Sequence, residues 1–160
     1  MIMSIESVRT YLNSYALADR IMEFDVSSAT VELAAAALGT EPARIAKSLT
    51  FYGTDGECLM IVTAGDQKID NAKFKAHFGT KAKMMSFDDA LAATGHAVGG
   101  VCPFALPDGV KVYLDRSLLR FDCIYPAAGS ASSAVRMSCD ELFCASQALE
   151  WADLCKPREN

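Results

Sequence analysis

Histidine is scarce in this chain: His77 and His96 are the only two. A Ser/His/Asp hydrolase needs one beside its nucleophile, and no G-x-S-x-G elbow is present to supply that nucleophile. Metal-ligand spacing is missing as well. The six cysteines (Cys58, Cys102, Cys123, Cys139, Cys144 and Cys155) include no C-x-x-C pair, which argues against both a zinc ribbon and a disulfide scaffold. They read as reduced, small hydrophobes. Nucleotide fingerprints are missing too: there is no Walker motif, and Gly95-His96-Ala97-Val98-Gly99 lacks the G-x-G opening of a dinucleotide turn. No cofactor and no metal are therefore expected. No apolar run reaches transmembrane length. Met1 to Thr10 lacks the basic flank and apolar core of a signal peptide. A cytoplasmic location with no membrane partner is the expectation. Net positive charge is also lacking. A formal charge of −5 excludes a general nucleic-acid coat.

What is present suffices for one core. Of the 160 residues, 51% are hydrophobic, and no linker, repeat or low-complexity block divides them, so a single domain over 1–160 is expected. Apolar residues at Ile5, Val8, Leu12 and Tyr15 have helical spacing, with Ser4 as candidate N-cap. Arg20 to Phe24 reads as a short strand. Val31 to Leu38 reads as an alanine-rich helix stopped by Gly39, and Pro42 starts a single helical turn. Ile45–Tyr52 and Cys58–Thr63 flank Gly53-Thr54-Asp55-Gly56, a hairpin signature. Gly65 to Lys68 breaks the strand pattern. Asp70 and Ser86 are caps for two further helices. Strands are expected at 82–85, 110–114, 121–127 and 133–137, a helical turn at 115–119, and a final helix behind Ser138. The chain after Trp151 reads as a fraying tail. Interspersed strands and helices predict an α+β fold with a mixed, curved sheet.

Three stretches could carry chemistry. Thr94 to Phe104 holds Gly95, Gly99, Gly100 and Pro103. Glycine admits positive φ and close approach, while proline stiffens what precedes it. The stretch reads either as a tight turn or as a rigid loop whose N–H groups meet an anion or an oxyanion. Lys47 interrupts an apolar strand start, Ile45-Ala46-Lys47-Ser48-Leu49; it either reaches the rim or points into a cleft. Cys102, between glycines and a proline, has a nucleophile's setting but no clear histidine partner. Charge is uneven as well. Asp66 to Lys83 holds Lys68, Lys73, Lys75, Lys81 and Lys83 against Asp66 and Asp70, a local +3 that leaves −8 on the rest. The segment is either a solvated face or a phosphate platform. Lys73 and Lys75, two apart, cannot share a helix face.

In this order, Arg44-Ile45-Ala46-Lys47-Ser48-Leu49, Gly65-Asp66-Gln67-Lys68-Ile69-Asp70, Thr94-Gly95-x-x-x-Gly99-Gly100-Val101-x-Pro103-Phe104 and Ala127-Ala128-Gly129-Ser130 through Arg136-Met137 resemble the YbaK family. These are the editing domains associated with prolyl-tRNA synthetase. The resemblance spans about Ile5 to Leu142. It implies a compact α/β domain that hydrolyses mischarged aminoacyl-tRNA in trans, with alanine or cysteine on proline tRNA as the usual errors. Carried over residue by residue, it sets Lys47, Gly99 and Gly100 at the catalytic positions. Ser48, Val101, Cys102, Pro103, Gly129 and Ser130 would surround the substrate, and Lys68, Lys73 and Lys81 would meet the acceptor end of the tRNA. An aminoacyl-tRNA synthetase is a possible second partner. Two departures bear on substrate preference. Pro103-Phe104-Ala105 stands where many members have Pro-Phe-Gly, and Ser132 and Ser133 stand where many have a histidine. Two other readings remain open: a non-catalytic module that holds a tRNA end or a small anion, and a cysteine hydrolase built on Cys102.

Overall fold

The computed structural model describes residues 5–158. The sheet is organised by β3 (Cys58–Ala64), whose residues are all buried. A strand reads as a continuous apolar run when both of its faces are covered. Here Met60, Val62 and Ala64 pack into one core, and Leu59 and Ile61 into another on the opposite face. β2 (Ile45–Tyr52) pairs antiparallel with β3 as the hairpin signature predicts. β5 (Lys111–Asp115) and β8 (Glu150–Ala152) continue the sheet in parallel on one side, and β6 (Tyr125–Pro126) adds to β2 on the other, giving the order β6-β2-β3-β5-β8. This is the mixed sheet of an α+β fold.

Helices close both faces. The larger core takes Val8 and Leu12 from α1 (Ile5–Asn13) and Leu142 and Ala145 from α5 (Cys139–Ala145), all fully buried. Burial of a leucine to this extent contributes roughly 1.5–3 kcal/mol. The second core takes Phe74 from α3 (Asn71–Phe78), whose ring centroid lies 5.1 Å from that of Phe51 in a tilted arrangement. α2 (Val31–Leu38) lays Val31, Ala34 and Ala35 against Ile45. The helix ends follow local chemistry. Thr30, Asp70 and Ser86 each accept a backbone N–H at the start of α2, α3 and α4 (Phe87–Thr94), and Gly39, Gly79 and Gly95 close them with positive φ. Ser138 and Glu141 form a reciprocal capping box on α5. The proposed Ser4 cap of α1 lies outside the described residues.

Three expectations need correction. Gly65 to Lys68 is not merely a break: Gln67–Ile69 forms β4. The strand expected at 82–85 shrinks to an isolated bridge from Met84 to Phe51, and that expected at 121–127 to a bridge from Ile124 to Met137 and the two residues of β6. The tail does not fray through residue 157. After β8, Cys155–Pro157 forms β9, antiparallel to β4, with Lys156 opposite Lys68. Buried Asp115 holds the connection, accepting Leu154 N at 2.8 Å and Ser117 N at 2.9 Å. A buried carboxylate needs such donors, and the fully buried Leu154 shows how much packing the segment supplies. Glu159 and Asn160 lie outside the described residues.

Candidate active site

A cavity of about 540 Å³ opens along the exposed edge of β2. β6 covers that edge only at Ile45 and Ala46, and Met84 bridges it only at Phe51. Met85 N donates to Thr50 O and Tyr52 N to Lys83 O, both on the edge away from β3. By the two-residue repeat, Ser48 turns its N–H and C=O to the same open side. Its hydroxyl is buried without a partner among the described residues.

Three loops form the far wall. The segment before α2 is pinned to β1 (Ile21–Glu23) and β7 (Ser133–Val135), which pair with each other, through bonds to the turn that precedes β7. Ser28 N donates to Ala131 O at 2.7 Å, and Ser28 Oγ to Ser133 O at 3.4 Å. The glycine loop fits between these segments because it lacks side chains where they meet. A Cβ on Gly99 would sit 3.2 Å from the Cβ atoms of both Ala29 and Ala131, and one on Gly100 would lie 3.0 Å from Gly129 C and Ser130 N. Gly99, at φ 87°, forms a turn in which Gly100 N donates to Ala97 O at 3.0 Å. This corrects one expectation: the Gly100 N–H is already engaged, so its role is close packing. The N–H groups of Gly99 and Val101 take no hydrogen bond among the described residues, and both residues line the cavity.

Lys47 enters from β2, half-buried, and Nζ donates to Gln67 O at 2.7 Å. Burial lowers its pKa from the ordinary lysine range, and the nearby Arg158 guanidinium lowers it further. Three donors sit on an ammonium, so two remain for a ligand. Arg158 itself lines the cavity from the end of β9 and stands 3.8 Å from Glu32. Glu32 is the one carboxylate among the described lining residues, and neither histidine nor cysteine lines the cavity. Met84, Phe87 and Val98 give it an apolar, largely exposed rim.

The expected site residues therefore separate. Lys47, Ser48, Gly99 and Val101 come together on the cavity. Gly129 and Ser130 stand behind it as the surface on which Gly100 packs, and Ser130 Oγ is occupied with Ser133 Oγ at 2.8 Å. Cys102 and Pro103 are buried, with the Cys102 thiol in the main core. Burial pushes that thiol up to about 12, the opposite of an activated nucleophile. His96 is also buried. Its Nε2 lies 2.8 Å from Phe104 O, which can only accept, so Nε2 carries the proton and donates. This bond ties the two ends of the glycine loop together. None of Lys68, Lys73 and Lys81 lines the cavity. Lys73 is engaged by Asp153 at 2.9 Å and Cys155 O at 2.8 Å. Sequence reasoning missed Arg158, the 28–32 segment, Met84 and Phe87. The only available hint for Arg158 was the alternation Cys155-Lys156-Pro157-Arg158.

Residues 26–143 match the family described as the aminoacyl-tRNA editing domain. The chain belongs to that family. The match contains every cavity residue named above except Arg158. The chain is 47% identical to the Bacillus subtilis protein YwhH, described as uncharacterized, over 98% of this chain and 100% of that one. It is 35% identical to the proline–tRNA ligase of Pelobacter propionicus over 52% of this chain and only 15% of the ligase. Among solved structures, a candidate trans-editing enzyme for prolyl-tRNA synthetase superposes with a TM-score of 0.86 at 27% identity, covering 98% of this chain and 99% of that one. The editing-domain resemblance read from the sequence is thus borne out, and with it the fold. No helix among the described residues is long and apolar enough to cross a membrane.

Proposed function

We propose that this chain is a trans-acting aminoacyl-tRNA deacylase that hydrolyses the ester of mischarged tRNA, with Ala- or Cys-tRNA(Pro) as its substrates. The observation that carries this reading is a cavity that joins a half-buried lysine to unengaged loop N–H groups and is lined by neither histidine nor cysteine. Membership of the editing-domain family and the match to a ligase for proline support the substrate class.

An aminoacyl ester is already activated, so modest catalysis suffices. Water adds to the ester carbonyl, and the negative charge collects on the carbonyl oxygen. Gly99 N–H and Val101 N–H are the donors for that oxyanion; loss of one such donor typically costs 10²–10³ in rate. Collapse expels the ribose oxygen, which takes the proton the water has lost. With no histidine on the cavity, that proton passes between water and the substrate's own hydroxyls. Lys47 holds the terminal nucleotide as a point charge, fixing the ester over the loop. The apolar wall from Ala34, Ala46 and Val101 accepts a small side chain. A single-turnover panel of mischarged tRNAs tests the reading. Release of amino acid from at least one of them is expected, and binding without hydrolysis of any would instead favour the non-catalytic module.

A further inference from the structure

The β4–β9 ribbon carries charge that the cavity chemistry described above does not use. Arg158 N donates to Asp66 O at 2.9 Å and Asp70 N to Leu154 O at 2.9 Å. These bonds and the Lys68–Lys156 register put Asp66, Lys68, Lys156 and Arg158 on one face. The other face turns Ile69 and Cys155 inward. Asp66 is consumed by Arg120, through bonds of 3.0 and 2.6 Å. Asp70 is consumed as the cap of α3 and only feels Lys156 from a distance. Lys68 and Lys156 are both exposed, and neither makes an ion pair among the described residues. Two lysines directly opposite each other destabilise an antiparallel pair. The row then continues to Arg158 at the cavity wall, where Glu32 at 3.8 Å and Gly65 O at 3.5 Å leave most guanidinium donors unused.

We propose that Lys68, Lys156 and Arg158 form a phosphate track that leads the single-stranded 3′ end of tRNA into the cavity. The inference rests on the deacylase reading and names how its substrate is held. Lys156 and Arg158 are alternate residues of one strand, about 7 Å apart, and Lys68 stands beside Lys156 on the neighbouring strand, so the long side chains of the three can meet successive phosphates of an extended strand. Arg158, with its forked donors, is placed for the phosphate nearest the ester, and the two lysines serve as point charges for those behind it. The track replaces the lysine-rich helix as the docking surface, because Lys73 is already engaged there by Asp153 and Cys155 O.

The test is affinity for a deacylated tRNA over a series of salt concentrations, with thermal melts to check folding. The double reversal Lys68→Glu/Lys156→Glu is expected to weaken binding at least tenfold. It should also make the log–log salt slope shallower by about 1.4, at about 0.7 per single-strand phosphate. The equally charged control Lys75→Glu/Lys81→Glu is expected to change neither. Unchanged affinity and slope in the first variant, equal losses in both, or no tRNA binding by the wild type would each overturn the track. The deacylase reading fails separately, if the wild type binds tRNA in this way yet leaves every ester intact.

Discussion

Lys47 Nζ donates to the backbone carbonyl of Gln67 at 2.7 Å, with no carboxylate as its partner. A neutral carbonyl fixes the position of the ammonium without cancelling its charge. The Arg158 guanidinium, a like charge that Lys47 feels, makes the site still more electropositive. A half-buried cation held this way is set for an anion that the fold does not provide. The same bond joins the open edge of β2 to β4, and so links the cavity to the ribbon that carries Lys68.

Ala105 adopts φ 55°, in the left-handed region, at the position where many relatives of the YbaK type carry glycine. Holding a Cβ there costs about 1–2 kcal/mol, partly offset by the lower chain entropy of alanine when unfolded. Ala105→Gly is therefore expected to stabilise the protein by roughly 0.5–1 kcal/mol, a rise in Tm of about 2–4 °C. A thermal melt checks this; a fall in Tm would mean that the Ala105 side chain contributes more by packing than its backbone costs.

Cys102 tests the role of the glycine loop's thiol. It is fully buried, and its thiol is raised to about 12. Native protein treated with an alkylating reagent at neutral pH is expected to label exposed Cys144 and spare Cys102. Cys102→Ser should keep hydrolysis within a few-fold of wild type while costing about 1–2 kcal/mol of stability. A trapped acyl-enzyme on Cys102 would reverse this assignment.

His96 links the loop to pH. Burial holds its pKa below the ordinary histidine value in the folded protein. Between about 6.5, the unfolded value, and the lower folded value, the unfolded chain binds a proton that the native state does not. Stability therefore rises with pH in that window and is lost as pH falls through it. Relative to His96→Gln, whose side chain does not titrate, the wild type is expected to lose Tm between pH 7.5 and 5.5. Parallel curves for the two proteins would contradict the buried, neutral histidine.

How much of this was legible in the sequence depended on range. The β2–β3 hairpin, the extent of α2 and the starts of α3 and α4 came from local chemistry: Gly53 to Gly56 for the turn, Gly39 for the end of α2, and Asp70 and Ser86 for the two starts. Lys47 stood out because a charge at the head of an apolar strand is unusual. β8 and β9 did not stand out. Each has three residues, too short for a period, and their partners are Tyr113–Asp115 and Gln67–Ile69, far away in sequence. Arg158 was hidden with them. The exposure of the glycine loop was misjudged for a related reason. Glycine marks close approach without saying what approaches, and at Gly100 it is the backbone of Gly129 and Ser130.

The most direct test of the account is single-turnover hydrolysis of Ala-tRNA(Pro) and Cys-tRNA(Pro) by the wild type and by Lys47→Ala, each beside a thermal melt. Lys47 makes one hydrogen bond to the fold and suffers a burial penalty, so the variant is expected to melt within a few degrees of wild type. Its rate should fall at least 100-fold, about 2.7 kcal/mol of lost transition-state stabilisation. Wild-type hydrolysis with a silent, folded Lys47→Ala would support the account. Near wild-type rates in the variant would contradict it.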